Sequence, residues 1–82
     1  MRVVIWSKDN CFYCDSAKEL LNSLAISYEE KNISRDYTKQ QMLEHIPTAK
    51  TVPQIFFEDK YIGGYTELVQ FIKNEKNTYT HT

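Results

Sequence analysis

The sequence predicts an α/β domain: a mixed four-stranded sheet with three helices, in the order β-α-β-α-β-β-α. Three observations lead there. Val3-Val4-Ile5-Trp6 and Pro53-Gln54-Ile55-Phe56-Phe57 are short runs rich in β-branched and aromatic residues, the mark of buried strands. Apolar residues recur at helical spacing after the first run and again at Tyr65, Leu68, Val69 and Ile72. A helix joining the first two strands makes them parallel with a right-handed crossover, while a tight turn at Glu58-Asp59-Lys60 makes the last two a hairpin.

The elements follow in order. Residues 2–6 form the first strand, and Ser7 to Asn10 is a polar turn. From about Phe12 to Ala25 the pattern is helical, with Ala17, Leu20, Leu21 and Leu24 on one stripe. Cys14 falls on that stripe, whereas Cys11 stands at the exposed helix entrance. Ile26 to Ile33 reads as a second, more polar strand. Ser34, Asp36 and Thr38 are candidate helix starts, and Thr38-Lys39-Gln40-Gln41 has the form of a capping box. Met42, Leu43 and Ile46 supply that helix with an inner face, and Pro47 ends it. Thr48 to Thr51 is a loop. Pro53 stands at the entry of the third strand, where it removes no central ladder bond. Tyr61-Ile62 returns as the fourth strand, and Gly63-Gly64 breaks the pattern before the last helix. Residues 1–75 are expected to form the domain and residues 76–82 a polar tail.

Bulk properties narrow the function. The chain has 82 residues, enough for one domain with a modest core. A net charge of −1 argues against a nucleic-acid binder, which carries a basic excess or stripe. No apolar run reaches the roughly 20 residues of a membrane-spanning helix. The N-terminal run is too short and too β-branched for a signal-peptide core, so a cytosolic protein is expected. Two cysteines cannot make a disulfide scaffold, and a bond between neighbours at this spacing closes too small a loop to stabilise much. Their reason is chemical.

A cysteine at a helix N-terminus meets unpaired backbone N–H groups and the positive end of the helix dipole, both of which favour the thiolate. Lys8, just upstream, adds a positive charge. Cys11 is therefore the expected nucleophile. Cys14 is the expected resolving thiol, spaced to attack the Cys11 sulfur once a mixed disulfide has formed. The competing reading of a Cys-x-x-Cys pair is half a zinc site. Zinc needs four ligands, and the remaining candidates, His45 and His81, lie too far apart to act as a ligand pair. No metal site is expected. His45 is better read as a last-turn residue answering a helix dipole.

With these residues in view, three segments resemble the signatures of dithiol glutaredoxins. They are Lys8-x-x-Cys11-Phe12-Tyr13-Cys14, Thr51-Val52-Pro53-Gln54-Ile55-Phe56 and Ile62-Gly63-Gly64-Tyr65-Thr66-Glu67. They come in the family's order and span nearly the whole chain outside the tail. A thioredoxin would carry Trp-Cys-Gly-Pro-Cys, which is absent. The resemblance implies a thioredoxin-like fold, glutathione as electron donor and co-substrate, and no bound redox cofactor. It implies a cis Val52–Pro53 bond beside the cysteines, with the Val52 backbone pairing to the cysteinyl unit of glutathione. It implies a monomer acting on disulfide-bonded or glutathionylated client proteins, ribonucleotide reductase being a common client of small dithiol members.

Glutathione carries two carboxylates and one ammonium group. The N–H groups opening the last helix at Gly64-Tyr65-Thr66 suit the γ-glutamyl carboxylate, and Glu67 suits the ammonium. In similar glutaredoxins the residues matching Thr66 and Glu67 take these roles. Lys8, with Lys39 or Gln40 as alternatives, is expected to meet the glycine carboxylate. Tyr13 either stacks along the tripeptide or covers the helix entrance. The expected glutathione site is thus Lys8, Tyr13, Thr51, Val52, Pro53, Gly64, Tyr65, Thr66 and Glu67. One departure stands out: Phe12 occupies a place where proline is commonest in the family. Some members without that proline hold a [2Fe–2S] cluster between two subunits, so a cluster carrier or sensor is the alternative.

Overall fold

The computed structural model describes residues 2–74. The expected tail and His81 lie outside the described residues. The elements are β1 (Val3–Ser7), α1 (Phe12–Ser23), β2 (Glu29–Asn32), α2 (Lys39–His45), β3 (Gln54–Phe57), β4 (Lys60–Gly63) and α3 (Tyr65–Asn74). The sheet order is β2-β1-β3-β4. β1 runs parallel to β2 and antiparallel to β3, and β3 and β4 form the hairpin. Order, parallel pair and hairpin agree with the sequence reading, and the architecture is that of the thioredoxin-like fold.

β1 is central and covered on both faces, which explains why its five residues are all buried with no polar alternation until Ser7. Val3 and Ile5 face one cluster with Ile55, Phe57, Ala17, Leu21, Leu68 and Ile72, so α1 and α3 cover that side. Val4 and Trp6 face the other side with Met42 and Ile46, from α2 and the residue that caps it. β2 lies at the sheet edge, and its sequence Glu29-Glu30-Lys31-Asn32 is accordingly polar.

Several boundaries differ from expectation. β1 is shifted by one residue and takes in Ser7, and β4 takes in Lys60 and Gly63, read from the sequence as turn and break. α1 ends at Ser23 rather than Ala25, because Ala25 adopts φ 57° and the chain closes on itself. The Ile26 N–H donates to the Leu21 carbonyl (2.9 Å) and the Ala25 N–H to the Asn22 carbonyl (3.0 Å). This is a Schellman cap with alanine in the left-handed position usually given to glycine. Ile26, buried against Leu21, belongs to that cap, so β2 starts only at Glu29. At the second helix the expected capping box is present: Gln41 N–H donates to Thr38 Oγ1 (3.1 Å), and Thr38 N–H donates to Gln41 Oε1 (2.8 Å).

Candidate functional site

Cys11 is the N-cap of α1. Its backbone is extended (φ −122°, ψ 104°), and its sulfur accepts the Cys14 N–H at 3.1 Å. The sulfur thus fills the capping role that Ser or Asp oxygens usually fill, and it does so where the helix dipole is positive. Cys14 lies one turn on and faces inward with Ala17 and Leu21. The two sulfurs are joined in a disulfide, with Cα atoms 5.2 Å apart. Cys11 is 8% exposed and Cys14 0%. Cys11 is therefore more enclosed than an open helix entrance suggests, but it is the cysteine of the pair that retains some exposure. The exposure at this entrance belongs instead to Phe12 (74%) and Tyr13 (58%).

The loop before β3 reaches this sulfur from across the sheet. Antiparallel pairing of β1 and β3 sets Trp6 opposite Gln54, which brings residues 51–53 to the same end of the sheet as Cys11. Val52–Pro53 is cis, and the Val52 carbonyl oxygen lies 3.7 Å from the Cys11 sulfur. Gln54 Nε2 donates to the Thr51 carbonyl (2.8 Å), and Gln54 Oε1 accepts from the Tyr61 hydroxyl. These two bonds tie the loop to β4. The sequence reading missed this part for Gln54 and left Tyr61 without one. A glutamine set between Pro53 and Ile55 in a buried strand is the signal that marks it.

Gly63 and Gly64 bring the start of α3 against the loop. Gly63 has φ 122°, and a Cβ there would lie 2.8 Å from Glu67 Cγ. A Cβ on Gly64 would lie 3.3 Å from the Pro53 carbonyl oxygen. The Gly64 N–H donates to Glu67 Oε1 at 2.8 Å, the reverse half of a capping box.

Between these pieces lies a cleft of about 300 Å³ lined by Tyr13, Thr51, Val52, Pro53, Gly64, Tyr65, Thr66 and Glu67. The Tyr13 and Tyr65 rings approach to 5.9 Å between centroids across it. Every residue expected for the glutathione site lines this cleft except Lys8. Lys8 lines a separate polar cleft with Asp9, Asn10, Asp15, Lys18, Glu30, Asn32 and Arg35, because the Asp9–Asn10 turn, with Asn10 at φ 55°, separates it from the helix entrance. Lys39 and Gln40, the alternatives to Lys8, are exposed in the first turn of α2 and are not among the cleft's lining residues.

A second polar cluster lies on the α1 side of that separate cleft. The buried Ser7 hydroxyl donates to Glu30 Oε2 (2.6 Å), and Lys18 Nζ donates to the same oxygen (2.9 Å). Burial pushes the Glu30 carboxyl up, but the bonds from Ser7 and Lys18 outweigh it and hold the group below its ordinary value. The bond to Glu30 in turn raises the Lys18 ammonium. His45 sits in the last turn of α2, as expected, with its ring 5.6 Å from that of Trp6. Among the described residues, no group of three or more His, Cys, Asp or Glu side chains is arranged to hold a metal ion, and no helix is long and apolar enough to cross a membrane.

Two sulfurs that can bond to each other, one of them capping a helix, make the chain a thiol–disulfide oxidoreductase on a thioredoxin-like frame. The comparisons specify which. The Glutaredoxin family profile matches residues 3–62. Glutaredoxin 3 of Escherichia coli (strain K12) is 38% identical over 66 residues, which cover 80% of each protein. The structure of reduced Escherichia coli glutaredoxin superposes with a TM-score of 0.79 at 31% identity, covering 94% of this chain and 99% of that one. A buckwheat glutaredoxin–glutathione complex gives a TM-score of 0.79 at 25% identity, covering 93% of this chain and 72% of that one. The chain belongs to the glutaredoxin family.

Proposed function

We propose that the protein is a glutathione-dependent oxidoreductase that reduces protein disulfides and protein–glutathione mixed disulfides. The observation that carries this reading is the cleft beside Cys11, bounded by the Val52 carbonyl on one side and the N-terminus of α3 on the other. Its chemistry matches the tripeptide. An extended cysteinyl backbone can pair with Val52 in the manner of an added strand. The γ-glutamyl carboxylate fits the first N–H groups of α3 at Tyr65 and Thr66. Glu67 answers the ammonium, while its other role, holding Gly64, keeps it in position. Lys8 lines a separate cleft, so the assignment does not rest on it. That a buckwheat relative forms a complex with glutathione supports the same assignment.

In the proposed reaction the Cys11 thiolate attacks the glutathionyl sulfur of a mixed disulfide, and the client leaves as a thiolate. A second glutathione thiolate then attacks Cys11–S–SG. This releases glutathione disulfide and restores Cys11. With a protein disulfide, Cys11 forms the mixed disulfide with the client. Cys14 then attacks the Cys11 sulfur, the client leaves reduced, and two glutathione molecules reduce the Cys11–Cys14 bond. Glutathione disulfide is recycled by a separate reductase. The enzyme acts as a cytoplasmic monomer with no bound redox cofactor. Ribonucleotide reductase is one candidate client. The deciding assay is reduction of the mixed disulfide of glutathione and 2-mercaptoethanol, coupled to glutathione reductase. Turnover that saturates in the mixed disulfide is expected. A protein that turns over only with a flavoprotein thioredoxin reductase, and not with glutathione, sinks the assignment.

A further inference from the structure

We propose that the exposed ring of Phe12 is a docking point for protein clients, and that it selects disulfides whose cysteine is flanked by apolar side chains. The inference rests on the reading of Cys11 as the attacking sulfur. Phe12 and Tyr13 are the most exposed large apolar side chains among the described residues. They meet edge to face, with ring centroids 5.4 Å apart, and Tyr13 in turn meets Tyr65. Three rings therefore run from the helix entrance into the cleft. Tyr13 and Tyr65 line that cleft, but Phe12 lies outside it, at the outer end of the row.

What comes to cover Phe12 is set by the chemistry of its neighbour. A mixed disulfide holds the partner's Cα about 5.5–6 Å from the Cα of Cys11. Phe12 follows Cys11 directly in the chain, so a residue flanking the partner's cysteine can reach its exposed ring. Glutathione cannot use this ring, because its cysteine is flanked by a γ-glutamyl unit and a glycine, neither of which carries an apolar side chain. A polypeptide can. The cleft thus serves the small thiol and the Phe12 ring serves the larger partner, so the two substrates are recognised by different parts of one entrance.

The test uses two disulfide-linked peptide dimers that differ only in the residues flanking the cysteine, leucine in one and serine in the other. The readout is the ratio of their kcat/KM values. Any change in Cys11 reactivity caused by a substitution enters both rates and cancels in the ratio, and the uncatalysed rates with glutathione correct for the peptides' own reactivity. The protein is expected to prefer the leucine peptide about three- to tenfold, as burial of several tens of Å² of apolar surface gives. Phe12→Ser should bring the ratio close to one, and Phe12→Leu should keep most of it. Turnover of the glutathione–2-mercaptoethanol mixed disulfide shows that each variant is folded. A ratio near one in the unaltered protein, or a ratio unmoved by Phe12→Ser, overturns the inference and leaves the proposed function standing. Loss of glutathione-coupled turnover in the unaltered protein overturns both.

Discussion

The Gln54 side chain donates to the Thr51 carbonyl across 2.8 Å, so a buried strand residue holds the loop that faces the Cys11 sulfur. The same amide accepts from Tyr61 and is thereby fully oriented. Gln54→Leu removes both bonds and leaves the Thr51 carbonyl without its partner. Loss of a part-buried bond of this kind costs about 1–3 kcal/mol. The expected outcome is a lower denaturation midpoint and a raised KM for glutathione mixed disulfides. Tyr61→Phe should do less, about 1 kcal/mol, because Tyr61 is half exposed and water can replace its hydroxyl. Urea titration and steady-state kinetics on both variants check this.

The two cysteines differ in exposure, and the proposed reaction predicts a division of labour between them. Cys11→Ser should abolish turnover of every disulfide. Cys14→Ser should keep reduction of glutathione mixed disulfides, which needs one thiol, and lose most reduction of protein disulfides, which needs the resolving thiol. Parallel assays with a glutathionylated peptide and a disulfide-bonded protein separate the two. Activity in the Cys11→Ser protein would move the nucleophile elsewhere.

Gly63 sits where only glycine fits, on conformation and on space. At φ 122° an alanine is strained, and its Cβ would press on the Glu67 side chain. Gly63→Ala should cost about 1–3 kcal/mol and displace Glu67 from the cleft. A lower thermal midpoint together with weaker glutathione binding by calorimetry is the expected pair of results.

Ala25 presents the opposite case. It occupies the left-handed position of the α1 cap with a Cβ that position disfavours. Ala25→Gly should relieve that cost and stabilise the protein by up to about 1 kcal/mol, partly offset by glycine's greater unfolded-state entropy. The site is remote from the cysteines in sequence, so activity should not change. Chemical denaturation gives the sign.

The Ser7–Glu30–Lys18 cluster predicts a pH signature. The Glu30 carboxyl is held below its ordinary value of 4.5, so the cluster's contribution is present above about pH 4.5 and is lost as pH falls through the lowered folded value. Lys18 is raised above 10.5, so its contribution holds below that pH and is lost only as pH climbs past the raised value. Glu30→Gln should therefore lose stability at pH 7 and lose less than the unaltered protein between pH 7 and pH 3. Equal acid losses in the two proteins would remove Glu30 from the account.

Much of this protein is written in local signals. The helical stripe through Cys14, Ala17 and Leu21, the Thr38–Gln41 capping box, the hairpin turn near Glu58-Asp59-Lys60 and the break before the last helix each act over a few residues, and each is present, with Lys60 and Gly63 drawn into β4. Helix position alone also separates the partly exposed Cys11 from the inward Cys14, because the side-chain period of a helix decides which sulfur faces the core. Other features depend on long-range pairing, which no short window records. The antiparallel register of β1 and β3 brings Val52 to the Cys11 sulfur and closes the cleft against α3. The Asp9–Asn10 turn carries Lys8 to a different cleft despite its nearness in sequence. The roles of Gln54 and Tyr61 come only from the packing of one strand on another. The amino-acid order thus determined the elements and set the Cys11 sulfur, not that of Cys14, at the helix entrance. The tertiary structure decided what surrounds that sulfur, because the partners of a buried group come from whichever strands the sheet places beside it.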